Sequence, residues 1–364
     1  MQSLHYNVAI IGAGVAGLTA ALVLAKQGLK VAVFDSQGPE KRSFGECVHG
    51  NIAPILAKLN LLEQFEQTGH FALQGYQIEW DGAGEYERHL LASPHGTGWI
   101  LNRSAFDKTL FLQAQQAGAE IFWHARLHHL KLQGEKWDLV IKHDDGTHSS
   151  VTANFAIDAS GRARVLTRKL GVFEKKADTL IACCSYFQHS AKHSMFAKKA
   201  IIQSDQYGWW YLVPFSSSQS SLCYFTDTDL SIPKSADALL EMANTHSALT
   251  QYLTACEPDK TTPFKIVPAY SSSLASYFGK RWLALGDAAC SYDPLSSYGV
   301  TSALGSAFYG ASALLKYFNN EPQYLGVYQQ LMQARFLDFL EQKDIEYSKV
   351  SHYQSAFWQR RKVA

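Results

Sequence analysis

Cysteine is sparse, and none of it is spaced for a metal or a disulfide framework. The six cysteines stand at positions 47, 183, 184, 223, 256 and 290, with no C-x-x-C step, which excludes a zinc ribbon and a disulfide-stapled scaffold. A reducing cytoplasm is the compartment this usage predicts. Charge of one sign is lacking too: 33 Lys and Arg face 32 Asp and Glu. No overall field draws the chain to nucleic acid or to an anionic membrane, so small molecules, or a specific protein partner, are the expected ligands. One long uncharged run exists, Val8 to Ala25, but Gly12, Gly14 and Gly17 interrupt it and the preceding MQSLHYN has no basic n-region. Neither a membrane span nor a secretory signal is expected. A Gly-x-Ser-x-Gly elbow, a Walker loop and an internal repeat are also missing. His124, His128 and His129 cluster on a strand-like segment with no acid or cysteine to complete a ligand set, so no metal site is expected.

What is present begins with a β-α-β unit. Asn7 to Ile11 is short, apolar and β-branched, Gly14 to Lys26 reads as a helix closed by Gln27-Gly28, and Val31 to Asp35 is strand-like again. Gly12-Ala13-Gly14-Val15-Ala16-Gly17 sits between that strand and helix as G-x-G-x-x-G, where a backbone without side chains lets a pyrophosphate reach the helix N-terminus. Asp35 closes the second strand about twenty residues on, placed to accept both hydroxyls of an adenosine ribose. The alternative is a tight turn plus a surface acid, and the context favours the dinucleotide. By itself this unit does not separate NAD from FAD.

The remaining 330 or so residues imply more than one compact unit. Ser104 and Asp107 predict a capped helix running to about Ala117, and Trp137 to Lys142 with Val151 to Ala159 predict a hairpin about Asp144-Asp145-Gly146. Leu180 to Phe225 is aromatic and β-branched and predicts a second sheet, while the chain from Gly310 reads as helical. The Gln359-Arg360-Arg361-Lys362 tail reads as solvated charge. Two later strands end in small residues, Ile157-Asp158-Ala159-Ser160-Gly161-Arg162 and Leu285-Gly286-Asp287-Ala288-Ala289, the second followed by Asp293-Pro294 and Gly299. Such ends let the backbone touch a ligand.

These segments, with Arg103 ahead of its helix, resemble the FAD-binding pattern of the flavin monooxygenase superfamily, which includes aromatic hydroxylases and flavin-dependent halogenases. The resemblance implies an α/β fold: a Rossmann-type FAD-binding domain (1–62, 100–175 and 276–312), an interleaved antiparallel-sheet substrate domain (63–99 and 176–275), and C-terminal helices (313–364). It implies that Gly12, Gly14, Ala16 and Gly17 hold the FAD pyrophosphate, Asp35 the adenosine ribose, Arg103 the diphosphate or ribityl region, and Asp287 a ribityl hydroxyl. Arg42, Asp158 and Gly161 join the cofactor-binding set, and Pro294 to Gly299 would pass beside the flavin ring. Singly, each has a plainer reading: Arg103 as a surface charge, Asp287 as a helix cap, Pro294 as a turn.

Two features narrow the branch. Phe44-Gly45-Glu46-Cys47, followed by a predicted helix at Ile52 to Leu61, and Gly208-Trp209-Trp210-Tyr211-Leu212-Val213-Pro214 resemble the tryptophan-halogenase-like branch and its G-W-x-W-x-I-P motif. Tyr211 replaces the second tryptophan and Val213 the isoleucine. The lysine that a halogenase needs is missing from Phe71 to Trp80. The Gly286 to Gly299 segment most resembles LodB/GoxB-type flavoproteins, which mature tryptophylquinone-bearing amino-acid oxidases by oxygenating a tryptophan of the precursor protein. The resemblance implies that reduced FAD and oxygen deliver an oxygen atom to an electron-rich ring, with Trp209, Trp210 and Tyr211 as a stacking floor and Glu46 and His49 as candidate proton carriers. Electrons would come from NAD(P)H bound transiently or from a separate flavin reductase. Competing readings are a small-aromatic hydroxylase, a halogenase, a geranylgeranyl-reductase-like enzyme and a non-catalytic FAD-binding escort.

Overall fold

A computed structural model describes residues 4–39, 46–82, 84–90, 95–189, 198–214, 218–253 and 256–362. The opening unit is Leu4–Ile11, the helix Val15–Ala25 and the strand Val31–Phe34. Both faces of Leu4–Ile11 are covered: Val8, Ala9 and Ile10 are all fully buried, as befits a central parallel strand. The helix is nearly as enclosed, with Val15 to Leu22, Leu24 and Ala25 all buried. It lies between the sheet and the helices Arg103–Gln116 and Gly299–Phe318. The uncharged Val8 to Ala25 run is therefore a buried strand followed by a buried helix. Among the described residues, no helix is long and apolar enough to cross a membrane.

Around Leu4–Ile11 the parallel strands are ordered Trp282–Ala284, His148–Asp158, Leu4–Ile11, Val31–Phe34 and Glu120–Phe122. Lys136–His143 and Ala125–Gln133 extend antiparallel from His148–Asp158, which makes the expected hairpin. The register explains how distant segments meet. Ile11 pairs with Phe34 on one side and Asp158 on the other, and Asp158 pairs with Ala284. The carboxyl ends of four strands thus lie in one row, so the loops that follow them open on the same side, where open α/β sheets bind ligands.

The second sheet runs Cys256–Pro258, Leu180–His189, Gln219–Asp227, Gly208–Pro214, Lys199–Asp205, Gly75–Glu79 and Tyr86–His89. Strand alternation divides its residues: Cys184, Trp209, Tyr211, Cys223 and Phe225 face one core, and Cys183, Trp210, Leu212 and Tyr224 face another beneath the helices Ala236–Ala243 and Ser247–Leu253.

Three expectations are corrected. The helix after Asn102 is capped by Asn102 itself, whose side chain accepts a hydrogen bond from the Ala105 amide, and Ser104 lies inside the helix. Both residue types cap well, and the earlier one reaches an orphan amide first. The boundary at 312/313 falls inside the helix Gly299–Phe318, so the last helical layer starts at Gly299 and continues with Gln323–Ser348. The basic tail is not simply solvated: Arg361 donates to both Asp227 oxygens and Arg360 to Asp227 and Asp229. Buried Asp227 draws these guanidiniums inward, while Phe357 and Trp358 pack into the core.

Candidate functional site

The strand-end loops and the second sheet enclose a cavity of about 950 Å³. One end is walled by Gly12, Gly14, Ala16, Asp35, Gln37 and Arg126, and the other by Cys47, Cys184, Tyr211, Cys223, Phe225 and Pro268. Arg103, Gly161, Arg162, Asp287, Pro294, Ser297 and Gly299 also line it.

The glycines of the first loop divide into two jobs. A Cβ on Gly12 would lie 2.4 Å from the Ala159 carbonyl oxygen and one on Gly17 1.9 Å from the Gly12 oxygen, so both permit tight protein packing. A Cβ on Gly14 would meet no protein atom within 4 Å, because Gly14 faces the cavity. It is a cradle open to a ligand. Asp35 is held ready beside it: Oδ2 accepts from the Ala13 amide at 2.7 Å and Oδ1 from the Gln37 amide at 2.8 Å.

At the centre, Arg103 donates to Glu46 Oε2 at 2.5 Å and to Asp107 at 3.3 Å, which holds the guanidinium charged. Its Nε is buried without a partner, an orphan donor on the cavity wall. Burial pushes the Glu46 carboxyl up, against the pull of Arg103. Arg162 braces the opposite wall, donating to the Ser291 hydroxyl and the Tyr292 carbonyl at 3.1 Å each and pairing with Asp287 at 3.5 Å. It follows Gly161 directly, a basic residue within a segment already recognised for its small residues, and so was within reach of sequence reasoning.

The other candidates are placed differently. Asp158 is fully buried and outside the wall; its Oδ1 takes the Ser160 amide and hydroxyl, and its Oδ2 the Thr167 amide and hydroxyl. All of its capacity goes into shaping the loop that carries Gly161 and Arg162. His49 is half-buried, bonded through Nε2 to the Tyr76 hydroxyl at 2.8 Å, and not in the cavity wall. Arg42 lies outside the described residues, as do Phe44 and Gly45. Of the proposed stacking floor only Tyr211 lines the cavity; Trp209 is stacked on Phe225 with centroids 3.9 Å apart, and Trp210 points to the opposite core. The alternation of a strand turns Trp210 away, since neighbours cannot share a face, whereas Trp209 shares the face of Tyr211 but stacks on Phe225.

Trp209 serves the cavity indirectly. Its Nε1 donates to the Tyr347 hydroxyl at 2.9 Å, which donates to Asp293 Oδ2 at 2.8 Å, while Asp293 Oδ1 caps the Pro294 turn through the Leu295 amide. Burial and the neighbouring Asp178 carboxylate push the Asp293 carboxyl up to about 6. A folded-state value above the ordinary one favours the protonated fold, so this stabilisation is full below about pH 4 and lost as pH rises through about 6; its size is about 3 kcal/mol. Asp293→Asn is expected to remove that component. Thermal melts of the flavin-free chain at about pH 4 and pH 8 should differ by about 3 °C from this group in the wild type and by less in the variant. Parallel pH dependences would contradict the assignment.

The open Gly14 cradle, the orphan Arg103 donor and the Asp35 carboxylate fit FAD. The fold and the site define an FAD-dependent oxidoreductase, and the chain belongs to the FAD binding domain family, whose model matches residues 5–336. Among its relatives is the FAD-dependent oxidoreductase LodB of Marinomonas mediterranea, 27% identical over 98% of this chain and 96% of that protein. A 1H-pyrrole-2-carbonyl-[peptidyl-carrier protein] chlorinase of Pseudomonas fluorescens is 25% identical over 88% of this chain and 78% of its own. The myxobacterial chondrochloren halogenase CndH shares the fold at a TM-score of 0.90 and 20% identity, covering 99% of this chain and 86% of that one. The p-nitrophenol 4-monooxygenase PnpA of Pseudomonas putida does so at 0.80 and 17%, covering 99% and 93%. The fold is therefore common to halogenases and hydroxylases, and only side chains can separate them.

Proposed function

We propose that this chain is a monooxygenase that adds oxygen to a tryptophan ring of a partner precursor protein during tryptophylquinone biogenesis. The observation that carries it is the ring end of the cavity: Ala182, Cys184, Tyr211, Cys223, Phe225, Val267, Pro268 and Ala269 make an apolar, partly aromatic lining with no lysine. An indole fits that lining, and among the described residues that lining offers a halogen carrier no ammonium to sit on. Among the described residues the one cavity lysine is Lys169, which stands on the wall with Arg126 and Leu127 and donates to the His128 carbonyl at 2.8 Å. Likeness to LodB along nearly the whole of both chains supports the same reading.

When bound, FAD supplies the electrons and the activation of oxygen. The chain's own residues fix the cofactor at Gly14, Asp35 and Arg103, exclude water with Phe225 and Pro268, and place hydrogen-bonding hydroxyls of Ser297 and Tyr298 on the wall. The electron donor is proposed to be NAD(P)H visiting transiently or a separate flavin reductase.

The test is to reduce the FAD-loaded protein, admit air with and without an unmodified precursor of a tryptophylquinone amino-acid oxidase, and weigh the precursor by mass spectrometry. Gain of one oxygen on a tryptophan is expected; an unchanged precursor counts against the reading. With chloride or bromide present, no halogenated product is expected from N-acetyltryptophanamide, and a halogenated indole would return the chain to the halogenases.

A further inference from the structure

We propose that Ser297, Tyr76 and His49 form a path that carries a proton from the ring end of the cavity to a half-buried imidazole. The Tyr76 hydroxyl stands 2.8 Å from His49 Nε2 on one side and 3.4 Å from Ser297 Oγ on the other. Ser297 belongs to the cavity wall and His49 does not, so the three side chains lead out of the cavity. Tyr76 is only 4% exposed, which keeps bulk water from short-circuiting the middle of the path. The Tyr211 hydroxyl lies buried beside Ser297, Tyr76 and Cys47, so a further hydroxyl borders the start of the path.

The backbone holds this set on three unconnected segments. His49 precedes the turn Gly50–Ile52, Tyr76 sits on Gly75–Glu79, and Ser297 has φ +50° at the end of the Pro294 turn. A left-handed serine is strained and persists where the surroundings impose it. Burial, and then the Arg88 cation on the adjacent strand, lower the affinity of His49 for protons. The imidazole is accordingly neutral at pH 7 and free to accept. Its partner Tyr76, and Cys47 beside that tyrosine, are uncharged as well, since burial pushes the tyrosine up and the thiol up to about 12.

The inference rests on the reading that oxygen is added to an aromatic ring. The ring carbon that gains oxygen must lose its hydrogen as a proton when the C–H electron pair restores aromaticity. Ser297 oxygen takes that proton while passing its own to Tyr76, and Tyr76 passes its own to His49 Nε2. Both hydroxyls end as they began, the charge rests on the imidazolium, and nothing is oxidised or reduced along the way.

Two measurements test the path separately from the reading. In the FAD-loaded full-length protein labelled with ¹⁵N-histidine, the His49 titration is followed by NMR in the wild type and in Tyr76→Phe. A midpoint displaced by about half a pH unit or more is expected, because the phenol oxygen no longer shares a proton with Nε2. An unmoved midpoint overturns the path, even if the precursor is never modified. The second measurement is the rate of oxygen incorporation into the precursor. Tyr76→Phe, His49→Gln and Ser297→Gly, the last keeping the left-handed backbone, should each slow it by about 10²-fold. The Tyr76→Phe, His49→Gln double variant should be no slower than the slower single, since one path is broken once. Multiplying losses would mean that the residues act independently and would overturn the relay while leaving the oxygenase reading intact.

Discussion

Gly14→Val is expected to give a folded, colourless protein. The absent Cβ faces open cavity with no protein atom within 4 Å, and its backbone at φ −84° and ψ −172° is extended, a region that valine favours. The fold therefore has no reason to resist the change, and the melting temperature of the flavin-free chain should move by no more than about 2 °C. FAD has every reason to resist it: two methyl groups would stand where the pyrophosphate must approach the helix N-terminus. Affinity should fall by at least about 10³-fold, the loss of about 4 kcal/mol. Gly17→Ala provides the opposite case. Its Cβ would lie 1.9 Å from the Gly12 carbonyl oxygen, so the helix must be pushed off the strand at a cost of about 3 kcal/mol. That variant should lose thermal stability before any ligand is added. Visible spectra and melts of the two proteins side by side distinguish the roles, and yellow Gly14→Val protein at wild-type occupancy would refute the placement.

The contrast between these two glycines also shows how far the sequence could be read. The G-x-G-x-x-G turn, its helix and Asp35 are local features, and pattern alone predicts them. The convergence of Asp158 and Asp287 on that turn depends on the register that sets Ile11, Phe34, Asp158 and Ala284 in one row, and small residues at strand ends gave it away. What escaped prediction was long-range. Nothing about Tyr76 announces a bond to Ser297, 221 positions later, or about Trp209 a bond to Tyr347 on a helix 138 positions on. The expectation that Trp209, Trp210 and Tyr211 would form one floor failed at Trp210 for a local reason, since a strand sends alternate residues to opposite faces, and at Trp209 because its ring stacks on Phe225. Asp158 was chosen by resemblance, but a fully buried carboxylate must satisfy its oxygens within the protein, and it does so through Ser160 and Thr167.

Arg103→Met should cost nearly as much FAD affinity as Gly14→Val, by electrostatics in place of bulk. In the structure the guanidinium stands between two carboxylates, Glu46 at 2.5 Å and Asp107 at 3.3 Å, with its Nε unclaimed. One ionised carboxylate is enough to neutralise the cation and two overcompensate it, although burial works against ionisation at Glu46. An incoming diphosphate therefore meets a donor whose charge is partly spoken for, and Glu46 is the competitor. Removing the arginine leaves two acids facing the phosphates, so attraction is replaced by repulsion and affinity should fall by about 10²- to 10³-fold. Removing the competitor does the reverse: Glu46→Gln should leave FAD binding unchanged or tighten it. Combined with Arg103→Met, it should recover about tenfold, because one of the stranded charges is gone. Titration of FAD fluorescence against the four proteins measures the cycle. If Glu46→Gln weakens FAD as much as Arg103→Met does, the two act as one binding unit and Glu46 is no competitor. If instead it leaves affinity intact but slows oxygen incorporation, Glu46 joins the chemistry itself, in the proton-carrying role its place on the cavity wall makes available.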